Sequence, residues 1–121
     1  MSGKPLDLKN LVMMIATQKD FEAEYSMDQG CSIETEDPKP LVKVINYMLN
    51  FISQNAPNYA VVSLELRDKF YKLSFIGNSD SPIAALSLNE QIADVLKSYN
   101  ATCELIIDRE KSLRLEIEFG R

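Results

Sequence analysis

The sequence predicts an α/β (α+β) fold of two layers, a mixed, mostly antiparallel sheet covered on one face by helices. Three observations carry that expectation. Two pairs of segments alternate apolar and polar residues across a short polar turn, which is the mark of hairpins with one buried face. The segments between them carry apolar residues at helical spacing. No stretch is long and polar enough to divide the 121 residues, so residues 1–121 are expected to form one domain, with an N-terminal amphipathic helix in 1–19 and the sandwich in 20–121.

Each element has its own signal. Leu8, Leu11, Val12 and Ile15 fall at i, i+3, i+4 and i+7, the stripe of an amphipathic helix, and Asp7 can cap it. Phe21, Ala23, Tyr25 and Met27 alternate with Glu22, Glu24 and Ser26 as in a half-buried strand. Asp28-Gln29-Gly30 reads as a turn, with a short strand at Cys31-Ser32-Ile33 after it. Asp37 is a good N-cap and Pro38 suits the first helical position, where its missing N–H costs nothing. From there Leu41, Val44, Ile45, Met48 and Ile52 form one apolar face, which Val42, Leu49 and Phe51 widen until Pro57 ends the helix.

Ala60, Val62, Leu64 and Leu66 then make one arm of a hairpin, Tyr71, Leu73 and Phe75 the other, with the turn at Arg67-Asp68-Lys69. Ile76-Gly77-Asn78-Ser79-Asp80-Ser81-Pro82 reads as a loop. Ser87-Leu88-Asn89-Glu90 has the spacing of a capping box, opening a helix lined by Leu88, Ile92, Leu96 and Tyr99. Cys103, Leu105 and Ile107 alternate into a turn at Arg109-Glu110-Lys111, and Leu113, Leu115, Ile117 and Phe119 return.

Composition excludes several activities. The chain has no histidine, which removes a phosphohistidine carrier, a Ser-His-Asp or Cys-His hydrolase and a His-ligated zinc site. Cys31 and Cys103 show no metal spacing; each sits among apolar neighbours as a reduced core thiol would, the other reading being a reactive thiol. The apolar runs fall short of a membrane span, and Met-Ser-Gly-Lys-Pro does not begin a secretory signal, so a cytoplasmic protein is expected. Net charge is −5, and Asp20, Glu22, Glu24, Asp28, Glu34, Glu36 and Asp37 follow one another with no Lys or Arg between them. Such a field repels nucleic acid and anionic membrane. The acidic run is either a solvated strand and loop, or a surface that steers a basic partner or holds a hard cation. Arg67, Lys69, Lys72, Arg109, Lys111 and Arg114 sit near the two hairpin tips, where they would make a basic edge if both tips pointed the same way.

From about Phe21 to Phe119 the order of elements resembles the Bergerat fold of the GHKL superfamily, the histidine-kinase-like ATPases. The run Asp37-Pro38-Lys39-Pro40-Leu41-Val42-Lys43-Val44-Ile45-Asn46-Tyr47-Met48-Leu49 looks like the start of that family's N-box helix. The family pattern is an acidic residue, an L-xx-V-(L/I)-x-N-L-L run and then an Asn-Ala pair. Val95-Leu96-Lys97-Ser98-Tyr99-Asn100-Ala101-Thr102 and the hairpin after it are similar to the family's closing helix and last two strands.

The resemblance also implies what has been lost. The N-box Asn that holds Mg²⁺ falls on Phe51, with Asn50 one residue early and about 100° round the helix. The Asp that bonds adenine would stand near Gly77. Only Ile83-Ala84-Ala85-Leu86 separates Pro82 from Ser87, where the family places a longer Gly-rich lid, and the chain has only four glycines.

The function expected on this reading is a non-catalytic, kinase-like protein-protein interaction module, a signalling adaptor or regulator with no cofactor. Its partner would be another protein, such as a response regulator, or a second copy, with Leu8, Leu11, Val12 and Ile15 as the candidate interface. The same stripe equally suits packing on the chain's own core. One alternative is a reduced Mg-ATP site using Asn46, Asn50, Asn78 and Asp80, although the plainer reading makes the two helix residues polar surface and Asp80 a turn former. Another is a small acidic chaperone or adaptor of unrelated α/β fold.

Overall fold

The computed structural model describes residues 3–81, 83, 86–109 and 111–121. Among the described residues, two helices lie on one face of a five-stranded sheet, and a third helix with a two-stranded sheet packs beside them. The small sheet pairs β1 (Lys4–Asp7) antiparallel with β3 (Ser32–Thr35). The main sheet has the order β2 (Glu24–Met27), β4 (Tyr59–Leu66), β5 (Phe70–Asn78), β7 (Ser112–Gly120), β6 (Ala101–Asp108). All its neighbours are antiparallel except β2, which runs parallel to β4 because the whole of α2 (Lys39–Asn55) carries the chain back between them.

The core follows the alternation. Leu113, Leu115, Ile117 and Phe119 of β7 are each fully buried, as are Leu73 and Phe75 of β5, and all face the helices. Leu41, Ile45, Met48, Leu49 and Ile52 of α2 meet them from above. α1 (Leu8–Gln18) packs on α2, capped by the Asp7 carboxylate, which accepts from Asn10 N–H at 3.0 Å. α3 (Glu90–Lys97) lies between α2 and β6.

Several expectations need correction. Ile76–Asn78 are not loop: they continue β5 and pair with Ser112–Arg114 on one side and Tyr59–Val61 on the other. Extra strand length on both neighbours recruits them. Pro82, Ala84 and Ala85 of the predicted short lid, and Glu110 of the last turn, lie outside the described residues. The Phe21–Met27 strand is laddered only from Glu24, because Phe21 N–H is drawn to Ala16 carbonyl at the end of α1. The capping box does not form: Asn89 caps α3, its side chain accepting from Gln91 N–H at 2.9 Å. Asp37 does accept from Lys39 N–H, but the helix starts at Lys39, one residue beyond Pro38.

Two surface expectations also fall. β5 and β7 are antiparallel with Phe70 beside Gly120 and Asn78 beside Ser112, so the tip at Arg67–Lys69 and the tip at Arg109–Lys111 stand at opposite ends of the sheet. They make no shared basic edge. Leu8, Leu11, Val12 and Ile15 are buried to 6% exposure or less in the chain's own core, which leaves them no surface for a partner. Among the described residues no helix is long and apolar enough to cross a membrane.

Candidate functional site

The concave part of the helical layer lies where α2 and α3 diverge over the sheet. It holds a hollow of about 530 Å³ lined by Asp37, Lys39, Pro40, Lys43, Val44 and Tyr47 of the α2 segment and by Asn89, Gln91, Ile92 and Val95 of α3. The sequence places these residues by simple periodicity. Lys39, Lys43 and Tyr47 recur every fourth residue, so they stack along the flank of α2 that faces α3.

Two tyrosine hydroxyls set the helix separation. Tyr47 hydroxyl accepts from Asn89 N–H at 3.0 Å, tying the middle of α2 to the cap of α3. Tyr99, just after α3, donates to the Asp37 carbonyl at 2.7 Å and accepts from Leu41 N–H at 3.2 Å. It therefore satisfies a first-turn amide of α2 that the helix itself leaves without a partner. Burial pushes the Tyr99 hydroxyl pKa up from its ordinary value, with the nearby Asp37 charge adding to the rise.

Next along α2, the Phe51 ring packs against Tyr47 with centroids 5.9 Å apart and planes tilted by 38°. In the N-box pattern both positions carry Asn: Tyr47 stands at the N of the N-L-L run and Phe51 at the N of the Asn-Ala pair. The flank that would present polar ligands is thus an aromatic step. At the far end of α2, β5 comes in very close. A Cβ at Gly77 would lie 2.8 Å from the Ala56 carbonyl oxygen and 2.9 Å from both Ala56 Cβ and Ile52 Cγ2. Only glycine allows that approach, and no side chain at 77 could reach past α2 into a pocket.

Of the four residues proposed for a reduced nucleotide site, Asn46 and Asn50 stand one turn apart on α2, and Asn78 bridges Pro57, which lines the hollow beside Asn50. Asn46 turns its amide back to the Val42 carbonyl at 3.1 Å on its own helix. Asn50 is exposed and lines a hollow of about 360 Å³ with Lys19–Glu22, Ser53, Ala56, Pro57 and Ala60. Asn78, also exposed, lines a different hollow with Ser79, Asp108, Arg109, Lys111 and Ser112. Asp80 is exposed in the loop after β5. The hollows of Asn50 and Asn78 share no residue. The sequence reading missed Tyr47 and gave Tyr99, which is buried as expected, no hydrogen-bonding role; the signal for Tyr47 was the pair of aromatics at 47 and 51, four apart on one helix.

The thiols and acids have local roles. Burial raises the pKa of Cys31 and of Cys103. Among the acidic run, Asp28 accepts from Leu66 N–H at 2.9 Å and Asp37 from Lys39 N–H. Among the described residues, no three His, Cys, Asp or Glu side chains converge as a metal site. Chemically, the α2–α3 hollow offers two lysines and the Asp37 carboxylate, the amides of Asn89 and Gln91, an aromatic ring and aliphatic side chains.

No protein-family model matches the sequence, and no curated protein is significantly similar to it. Solved structures are similar in shape. The histidine kinase domain of the E. coli osmosensor EnvZ matches with a TM-score of 0.75 at 12% identity, covering 99% of this chain and 89% of that one. The mycobacterial sensor histidine kinase MprB matches at 0.71 and 13% identity, covering 97% of each chain. The histidine kinase ThkA, in a complex with the response regulator protein TrrA, matches at 0.73 and 11% identity over 97% of this chain and 41% of the kinase. The chain has the fold of the histidine-kinase catalytic domains, which is the GHKL-type fold.

Proposed function

We propose that this chain, built on the histidine-kinase ATPase fold, is a non-catalytic protein-interaction module that acts as a signalling adaptor or regulator. The observation that carries the reading is the aromatic pair Tyr47–Phe51 on the α2 flank where the N-box pattern has two asparagines. A phenyl ring cannot ligate Mg²⁺, and a tyrosine hydroxyl already bonded to Asn89 N–H is committed to structure. The close approach of Gly77 to Ala56 and Ile52 supports it at the adenine end. The site therefore needs no cofactor.

The partner is a protein of the signalling type, and ThkA with its response regulator is a precedent for docking on a kinase of this fold. Nucleic acid and anionic membrane are disfavoured by the net charge of −5. A cytoplasmic location fits such a partner. One observation favours the alternative of a residual Mg-ATP site: the α2–α3 hollow of about 530 Å³ has Lys39 and Lys43 on its wall, a pairing that suits an anion.

Thermal unfolding with and without millimolar Mg-ATP or Mg-ADP decides between them. A ligand at 100 times its dissociation constant adds about 2.7 kcal/mol, a shift of several degrees in a domain this size. The adaptor reading expects no shift beyond that of a non-hydrolysable polyanion control. A shift specific to adenine nucleotide overturns it.

A further inference from the structure

We propose that the outer edge of β6 pairs with the same edge of a second copy of this chain, joining two five-stranded sheets into one around a two-fold axis at Leu105. Among the described residues β6 ends the sheet, and its one strand neighbour is β7. Gly120 N–H bonds the Asn100 carbonyl at 2.8 Å, which fixes the phase of the ladder. The even residues of β6 bond β7, so the N–H and C=O groups of Ala101, Cys103, Leu105 and Ile107 point outward.

This edge is lightly guarded, with Glu104 and Asp108 as its charges. Ala101–Asp108 is eight residues long, contains no Lys and no Pro, and runs in unbroken register with no bulge. Its side chains at 103, 105, 106 and 107 are apolar and only partly buried. The opposite edge, β2, is by contrast four residues long.

Charge selects the occupant and the register. Asn100 and Arg109 have φ of 55° and 53°, so pairing is confined to 101–108. Two antiparallel self-pairings use nearly all of that length. Centring on Glu104 sets that carboxylate against its own copy, which is unfavourable. Centring on Leu105 sets Glu104 against Ile106, Thr102 against Asp108, Cys103 against Ile107 and Leu105 against itself, with no like charges opposed. The odd residues then exchange backbone bonds with the odd residues of the second copy, as their outward groups require. This edge lies apart from the α2–α3 hollow, so the inference stands or falls independently of nucleotide binding.

Sedimentation equilibrium from micromolar to millimolar chain tests it. The wild type is expected to be a reversible dimer. Ile106→Glu places carboxylates opposite Glu104 at two symmetric positions and should weaken dimerisation about tenfold, while Ile106→Lys should tighten it several-fold. Position 106 is on the open sheet face, so both variants should keep the wild-type unfolding midpoint at low concentration. In a Cys103→Ser background, Leu105→Cys should oxidise to a cross-linked dimer and Glu104→Cys should not. A wild type that stays monomeric at millimolar concentration overturns the proposal, and so does a dimer indifferent to charge at 106.

Discussion

Replacing Gly77 tests how tightly α2 closes on β5, because the contact there is backbone against backbone. In Gly77→Ala the added methyl starts 2.8 Å from the Ala56 carbonyl oxygen, where ordinary contacts begin at 3.4 Å, so the last turn of α2 must lift off the strand. Overpacking of this kind costs about 1–3 kcal/mol. Removing a glycine from a strand returns about 0.5–1 kcal/mol through the unfolded chain. The expected net loss is about 1–2 kcal/mol. Gly77→Asp, which restores the family's acid, adds a carboxylate with no partner between Ala56 and Ile52, and should lose roughly 3–5 kcal/mol in all. Urea and thermal unfolding read both values; each kcal/mol corresponds to roughly 3–6 °C for this length. If both variants unfold at the wild-type midpoint, or if Gly77→Asp gains stabilisation by Mg-ATP, the closed adenine end is refuted.

Other outcomes follow from the same packing. Tyr99→Phe leaves Leu41 N–H buried without its acceptor and should cost about 1–3 kcal/mol by urea unfolding; a neutral result would mean water replaces the hydroxyl. Leu8→Ala removes a fully buried side chain and should cost about 2–5 kcal/mol at every protein concentration, whereas a role in self-association would make the effect concentration-dependent. Stability should also fall in alkali. Burial raises the folded-state pKa of Cys31, Cys103, Tyr25 and Tyr99, so the unfolded chain ionises first. The contribution is fully present below the thiol value of 9.0 and is lost as pH climbs through the raised values. Urea midpoints that stay level from pH 8 to well above 10 would contradict these shifts.

Most of the architecture was legible because burial here follows strict periodicity. β7 alternates without error, and the α2 stripe from Leu41 to Ile52 is continuous, so both faces could be assigned from residue type alone. Local capping was less legible where two candidates competed. Ser87 and Glu90 had the spacing of a capping box, but Asn89 is one residue before the helix and reaches Gln91 N–H directly. β1 escaped notice because Lys4–Asp7 is a short, mostly exposed strand whose partner β3 is distant in sequence. The end of β5 was misread for a related reason. Gly77 and Asn78 look like turn residues, and only pairing to strands on both sides holds them extended.

The site divides along the same line. That the polar N-box positions are missing could be read from Phe51 in the sequence. What stands in their place could not, since the Tyr47–Asn89 and Tyr99–Asp37 bonds join residues 42 and 62 positions apart. Nor could the separate local partners of Asn46 and Asn78, which depend on helix phase and on strand pairing. The stripe of Leu8, Leu11, Val12 and Ile15 shows the limit from the other side. An amphipathic helix announces that it will bury a face, not whether the covering surface belongs to its own chain.

The proposal that α2 and β5 form no nucleotide pocket meets its sharpest test in a residue-resolved titration. Amide chemical shifts of the uniformly ¹⁵N-labelled chain, followed as Mg-ADP is raised to millimolar concentration, should stay fixed at Val44, Tyr47, Phe51, Gly77 and Asn89. Saturable shifts clustered on those residues would contradict it and return the chain to the nucleotide-binding members of its fold.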